Sequence, residues 1–183
     1  MAEPKKRSSP VVRGLAAVMT VIALACGGVA VYGLTLDETH RAAESTLIRA
    51  KVGDVFARQL DVQKHKQWRT DVSEIRDFKA EEGDKASWVE VWNDGTEMRL
   101  WFVEVVKDRT LKVRTEHTRG VFYGTWTFTF EEADEGTQVT INEEGRIPNA
   151  FFRGMNKLVN RDQAATIRGH LAALKAACEK AGK

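Results

Sequence analysis

Four histidines, two cysteines and two carboxylates set among aromatic strand residues are the groups of this 183-residue sequence that could do chemistry. Their spacing excludes most of it. There is no HExxH, no CxxC and no pair of histidines at helix or strand intervals, so a metal site has no ligand set. A glycine-rich phosphate loop and a GxSxG elbow are absent as well. His65 stands between Lys64 and Lys66 and reads as a solvated loop histidine, and His40 belongs to a polar linker. His117 ends a strand pattern whose Leu111, Val113 and Thr115 share its face, which aims it at an interior. His170 flanks the apolar helix face of Ile167 and Leu174 and is expected at its water boundary. Glu90 shares a strand face with Trp88 and Trp92, and Glu104 shares one with Leu100 and Phe102. A carboxylate buried unpaired on such a face is costly, so edge exposure or an arginine partner, Arg99 or Arg114, is expected. Turned inward and protonated, either would orient a polar ligand group or act as an acid. No catalytic residue and no cofactor is assigned on this basis.

The elements that must position these groups are easier to read. Phe122, Trp126, Phe128 and Phe130 occupy alternate positions, with Gly124 in register, so one face of a long strand carries bulky aromatics. After an Asp134-Glu135-Gly136 turn, Thr137, Val139 and Ile141 alternate on a second strand. Turn signals at 82–84, 93–95, 107–108, 119–120 and 134–136 space an antiparallel meander, after a first strand over 46–50 and a short helix carrying Val52, Val55, Phe56, Leu60 and Val62. Ile147-Pro148-Asn149 then opens a helical pattern. Its apolar residues Phe152, Met155 and Val159 point about 90° away from the later set Ile167, Leu171, Leu174 and Cys178, which predicts a break near Asn160-Arg161-Asp162. The fold class is α+β: about seven antiparallel strands curved around a long, kinked C-terminal helix.

Gly124-Thr125-Trp126-Thr127, Gly136-Thr137, Val139-Thr140-Ile141, Glu143-Glu144-Gly145 and Asn149 with Phe152-Arg153 resemble the second half of an SRPBCC domain. This is the START-like, helix-grip superfamily, and the likeness is to its bacterial polyketide cyclase/dehydrase and lipid-transport branch. It extends back to Leu47, with Asp61 and Trp68 similar to the helix-loop after the first strand, and so covers about 44 to 180. The resemblance implies a deep cavity between sheet and helix that holds an apolar small molecule or lipid; it implies no single activity. On the strand patterns, Phe122, Trp126 and Phe128 form one wall of that cavity and Met98, Leu100 and Phe102 the next. Phe152, Met155 and Val159 close it, Trp68 stands near its mouth, and His117 is its polar contact. Binding, transfer or sensing of a hydrophobic ligand is the leading function class. A cyclase- or dehydratase-type enzyme and a ligand-free protein-interaction module are the alternatives.

Residues 14–34 form a charge-free run of 21, about 30 Å as a helix and long enough to cross a bilayer core. An uncleaved anchor is preferred because the run is long for a signal core; a cleaved signal ending near Ala23-Leu24-Ala25, or a lipoprotein signal using Cys26, stays open. The organisation expected is a basic cytoplasmic tail (1–13), the anchor (14–34), a linker (35–43) and the ligand-binding domain (44–183), which would be soluble and monomeric alone. The first 13 residues hold four of the 28 Lys+Arg and one of the 26 Asp+Glu, leaving 24 basic against 25 acidic groups in the remainder. Without a basic stripe, nucleic acid is excluded as a partner. Cys26 in the apolar run and Cys178 near the end of the last helix are not placed to pair. Lys5, Lys6, Arg7 and Arg13 before the run and Asp37 and Glu38 after it place the amino terminus inside and the domain outside the cytoplasmic membrane of a bacterial-type cell. A reporter active only outside the cytoplasm, fused after Lys183, should therefore be active; activity of a cytoplasm-only reporter would overturn the orientation.

Overall fold

The computed structural model describes residues 10–81, 85–160, 162 and 164–181. The chain opens with helix α1 (Pro10–Leu34), followed by strand β1 (Thr39–Ile48), helix α2 (Val52–Leu60), a 3-10 turn (Val62–Lys64) and the single helical turn α3 (His65–Trp68). Six strands come next: β2 (Val72–Glu81), β3 (Lys85–Trp92), β4 (Glu97–Val106), β5 (Thr110–His117), β6 (Tyr123–Ala133) and β7 (Gly136–Arg146). Helices α4 (Ala150–Val159) and α5 (Ala165–Ala181) end the chain. All seven strands form one antiparallel sheet in the order β1-β7-β6-β5-β4-β3-β2.

β1 begins at Thr39, so the stretch expected as a linker over 35–43 is partly strand, and the first strand is not confined to 46–50. The sequence disguises it because β1 is an edge strand. Over Thr39–Thr46 its residues alternate between exposed and half-buried and are polar or alanine, with only Ile48 fully buried. A chain cut at residue 44 would lose half of the β1–β7 ladder, from Thr39↔Arg146 to Ala43↔Asn142. The turn expected at 82–84 lies outside the described residues.

The predicted break in the last helix is present: α4 ends at Val159 and α5 begins at Ala165. Asn149 caps α4, its side-chain oxygen accepting from the Phe151 and Phe152 amides. Asp162 accepts from the Ala164 amide at the start of the second piece. The two apolar faces diverge because they have different targets. Ile167, Leu171, Leu174 and Cys178 of α5 pack into the sheet with Val55 and Phe56 of α2, whereas α4 packs on α1.

The close-packed half of the interior lies toward the β4–β5 and β6–β7 turns. Phe102, Leu111, Phe130, Val139 and Ile141 project from the sheet there, and all are buried. Phe56 meets Phe130 edge-on with centroids 5.4 Å apart, and Trp88 meets Phe102 at 4.9 Å. Leu174 is fully buried in this half, so Leu174→Ala should cost about 2–5 kcal/mol. Urea denaturation of the chain from Thr35 onward, followed by tryptophan fluorescence, measures it, and a cost under 1 kcal/mol would mean that this half is not close-packed.

Candidate functional site

The other half of the interior is hollow. A cavity of about 660 Å³ lies between the inner face of the sheet, α4 and α5, a size suited to a small organic ligand. Met98 and Leu100 of β4, Val113 and Thr115 of β5, and Trp126 and Phe128 of β6 form its walls. Phe152, Met155, Asn156 and Val159 of α4 line it too, and all of these but Asn156 are exposed, which marks this as its open side. His117 at the end of β5 and Val121 and Phe122 after it complete the lining. Of the residues expected to form the site, Met98, Leu100, His117, Phe122, Trp126, Phe128, Phe152, Met155 and Val159 are thus brought together. Phe102 and Trp68 are not part of the lining. Phe102 lies one step farther along β4, in the packed half against Trp88. Trp68 lies behind the wall, edge-on to His65 at 5.0 Å and to His170 at 5.5 Å.

Two paired glycines hollow out the wall near the opening. Gly124 of β6 stands opposite Gly145 of β7, so the sheet presents no side chain there. The Phe122 ring fills the space over Gly124, where a Cβ would come within 2.8 Å of it, and the His40 ring lies against Gly145. The two rings meet with centroids 5.8 Å apart. Phe122 itself precedes β6, and its ring folds back over Gly124 instead of continuing the strand alternation. His40 is therefore a wall residue and not a linker residue, with Nε2 3.8 Å from Oε1 of the buried Glu143.

At the far end of the cavity lies a buried charged cluster. The Glu90 carboxylate is 2 % exposed and accepts from Arg69 Nη1 at 2.8 Å, Trp88 Nε1 at 3.3 Å and Trp92 Nε1 at 3.4 Å. Arg69, also buried, completes its donors on Asp71, Nη2 at 2.6 Å and Nε at 3.2 Å. The partner of Glu90 is thus Arg69, at the end of α3, and not Arg99 or Arg114; Arg114 lies over the Trp101 ring at 5.6 Å, and Glu104 is exposed. The sequence hid this pair because Arg69 and Glu90 are 21 positions apart and meet only when α3 folds under β3. Burial works to raise the Glu90 pKa, but the Arg69 charge together with His65 and Trp88 outweighs it and holds the carboxyl at about 2.

Two histidines that the sequence pattern places in water, His65 and His170, are instead buried. His65 is 2 % exposed, its Nε2 2.9 Å from the Gln59 carbonyl and its Nδ1 3.5 Å from Glu90 Oε1. A carbonyl only accepts, so Nε2 carries the proton. His170 is 4 % exposed and enclosed by Trp68, Trp126 and Phe128, all with centroids within 5.6 Å. Its Nε2 lies 2.8 Å from Gln59 Oε1, and donation there leaves Nδ1 with a free lone pair. Nδ1 of His170 and Oγ1 of Thr115 are buried and have no partner among the described residues, and both residues line the cavity. A turn of positively charged residues around His65, and a histidine one step off an apolar stripe, are ordinary surface patterns. Only the wrapping of α2–α3 against α5 buries them.

Burial, together with the charges of Arg69 and His65, pushes the His170 pKa well below its usual value of 6.5. The folded state therefore keeps His170 neutral at a pH where the unfolded chain binds a proton. Stability from this group is complete above pH 6.5 and is lost as the pH falls below it. The expected slope is about 1.4 kcal/mol per pH unit. Denaturation midpoints measured between pH 7 and 5 should fall, and His170→Gln should flatten that fall. An equal slope in the variant would show that His170 is not the group concerned.

Among the described residues no cluster of three or more His, Cys, Asp or Glu side chains could hold a metal ion. The sheet and the enclosing helix recur in known structures. The chain superposes on the aromatase/cyclase ZhuI from Streptomyces sp. R1128 with a TM-score of 0.64 and 11% identity, covering 79% of this chain and 96% of that one. Norcoclaurine synthase from Thalictrum flavum, in complex with dopamine and hydroxybenzaldehyde, gives 0.60 and 12%, over 78% and 87% of the two chains. The di-domain aromatase/cyclase StfQ of the steffimycin biosynthetic pathway gives 0.65 and 13% over 79% of this chain, which spans about half (52%) of the di-domain protein. No curated protein sequence matches the chain significantly. At these identities the likeness shows the helix-grip fold alone. The sequence model for polyketide cyclase / dehydrase and lipid transport proteins matches residues 39–179, nearly the whole of the chain beyond α1, and the chain belongs to that family.

Proposed function

We propose that this protein binds an apolar small molecule or lipid in the cavity while held to a membrane by α1, and that it carries, presents or senses that ligand. The observation that carries the reading is the division of the interior: one half packed solid, the other left as about 660 Å³ walled by aromatic and aliphatic side chains. An open pocket of that size leaves apolar wall surface in contact with water, at about 25 cal/mol per Å², unless a ligand covers it. The polar atoms at the far end narrow the ligand class. Glu90 and Arg69 are committed to each other, so they offer no free charge for an anionic or cationic headgroup. The free lone pair of His170 and the unpartnered Thr115 hydroxyl suit a hydroxyl or phenol on an otherwise apolar ligand. Helix α1 is 25 residues long, with a mean hydropathy of 2.2 over its most apolar 18-residue window, none of which is buried within the protein, as a membrane span would be. The cationic residues before it and acidic residues after it favour an extracytoplasmic domain.

One observation favours a second reading, an enzyme of the cyclase or dehydratase type. His170, His40 and Glu143 give the cavity acid/base groups that the strand patterns alone did not reveal. A neutral His170 with a free Nδ1 is suited to accept a proton from a bound hydroxyl or activated carbon. The two readings separate by whether a bound aromatic or polyketide-like probe is recovered unchanged.

Trp126 borders the void and is only half-buried, so its truncation enlarges a cavity that already exists. Trp126→Ala should lower affinity for a fluorescent fatty acid or an aromatic polyketide-like probe about tenfold, roughly 1.4 kcal/mol, while the protein stays folded. Fluorescence titration with the probe and a urea midpoint on the same sample check both. If the unaltered protein binds no such probe and Trp126→Ala unfolds, the interior is solid in solution and the ligand-binding reading fails.

A further inference from the structure

The contact between α1 and α4 fixes where the cavity opens. Gly33 of α1 lies directly against the Ala150 carbonyl, and Gly154 of α4 lies against the Val29 carbonyl; a Cβ on either glycine would collide with backbone. The two helices therefore touch main chain to main chain. Arg153 locks the contact: its Nε donates to the Gly33 carbonyl at 2.9 Å, its Nη1 donates to the Ile147 and Pro148 carbonyls at 3.0 and 3.1 Å, and Nη1 lies 3.3 Å from Glu38 Oε1. A charged side chain that is 8 % exposed and satisfies a helix-terminal carbonyl of the apolar helix is a fixed joint between that helix and the domain.

Val29 is only five residues from the end of α1 at Leu34, a rise of about 7.5 Å. A helix resting on Val29 and Gly33 thus lies within the depth, about 5–10 Å, at which interfacial helices bury their apolar faces. The side chains of α4 match that position. Phe152, Met155, Leu158 and Val159 are 42, 38, 52 and 69 % exposed, and they make an apolar face with no protein cover among the described residues. Lys157 alone of α4's exposed residues is charged, and its long stem can carry its ammonium to the headgroups. Three of those four apolar residues, Phe152, Met155 and Val159, also line the cavity, so the cavity reaches the surface beside this face.

Resting on the membrane-anchored reading above, we infer that the exposed face of α4 lies in the outer interfacial layer of the bilayer crossed by α1, so that the cavity opens onto the lipid and its ligand moves between leaflet and cavity without passing through bulk water. The anchor is then a device for orientation as well as for retention. The far end of the domain, at the β4–β5 turn around Lys107, faces water.

The test uses the full chain carrying Cys26→Ala, reconstituted in phosphatidylcholine–phosphatidylglycerol vesicles, with the buried Cys178 left in place. An environment-sensitive fluorophore is attached to a single cysteine introduced by Leu158→Cys, by Lys107→Cys or by Val21→Cys in α1. Lipid bearing a shallow doxyl quencher should quench the fluorophore at 158 several-fold more than at 107, and iodide in the water should do the reverse. A second measurement follows transfer of a fluorescent fatty acid from the vesicles. Leu158→Glu should slow it several-fold without changing the amount bound at equilibrium, since Leu158 is outside the cavity lining. If position 21 is quenched by lipid while position 158 is quenched only by iodide, α1 spans the bilayer but α4 does not touch it, and the inference falls while the anchor stands. Protection of position 158 from both quenchers would put a second protein copy on the face and also overturn it. Failure of lipid to quench position 21 removes the anchor itself, and with it this inference.

Discussion

A single helix is too small for the sheet it covers. Ten-residue strands span about 33 Å, and seven of them side by side span nearly as much across, while the 17 residues of α5 make a rod about 25 Å long and 10 Å wide. Curvature of the sheet brings the strand ends toward the helix but cannot close the gap everywhere. α2 takes up the slack on one side, placing Val55 and Phe56 against Phe130 and Leu174. On the other side nothing of comparable bulk arrives. The glycine pair Gly124–Gly145 removes wall volume there as well. The cavity is thus a consequence of geometry, and the aromatic strand faces are what make its wall apolar.

The polar far end poses the opposite problem, because a charged pair inside an apolar interior costs several kcal/mol per ion unless every lone pair and proton is satisfied. Here it is satisfied to an unusual degree. Three side-chain donors converge on Glu90, and Asp71 takes the donors of Arg69 that Glu90 does not reach. The cluster ties α3 to β3 and fixes Gln59 and His65 beneath the cavity. In doing so it sets the tautomer of His170 through Gln59, leaving one acceptor facing an otherwise apolar space. The charged residues build the end of the cavity, and the neutral ones are left free to meet a ligand.

α4 links that interior to the apolar helix at the start of the chain. Its small residues face α1, its larger apolar residues face the opening, and Arg153 between them neutralises the carbonyl end of α1. One ten-residue helix therefore serves as a joint, a rim and an exposed apolar surface. The separation of α4, ending at Val159, from α5, beginning at Ala165, lets it do this, since a continuous helix would carry the faces of α4 and α5 past their separate targets.

Much of this architecture is written in local pattern. The alternation of Trp126, Phe128 and Phe130, and of Thr137, Val139 and Ile141, determines strands with one buried face, because the pleat has a period of two whatever surrounds it. The 90° offset between Phe152-Met155-Val159 and Ile167-Leu171-Leu174 likewise determines two helices in place of one. The charge-free run before Leu34 is equally local. What tertiary structure alone decided is which polar residues are inside. Arg69 with Glu90, His170 with Gln59, and His40 with Glu143 are separated by 21, 111 and 103 positions, and each residue in isolation fits a solvated surface. Phe102 of β4 and Phe128 of β6 both alternate onto the inner face and both are buried, yet only Phe128 also lines the cavity, because distance along the strand from the α2-packed end is a property of the assembled sheet. The register of the helices on that sheet, which no short stretch of sequence encodes, divides solid interior from void.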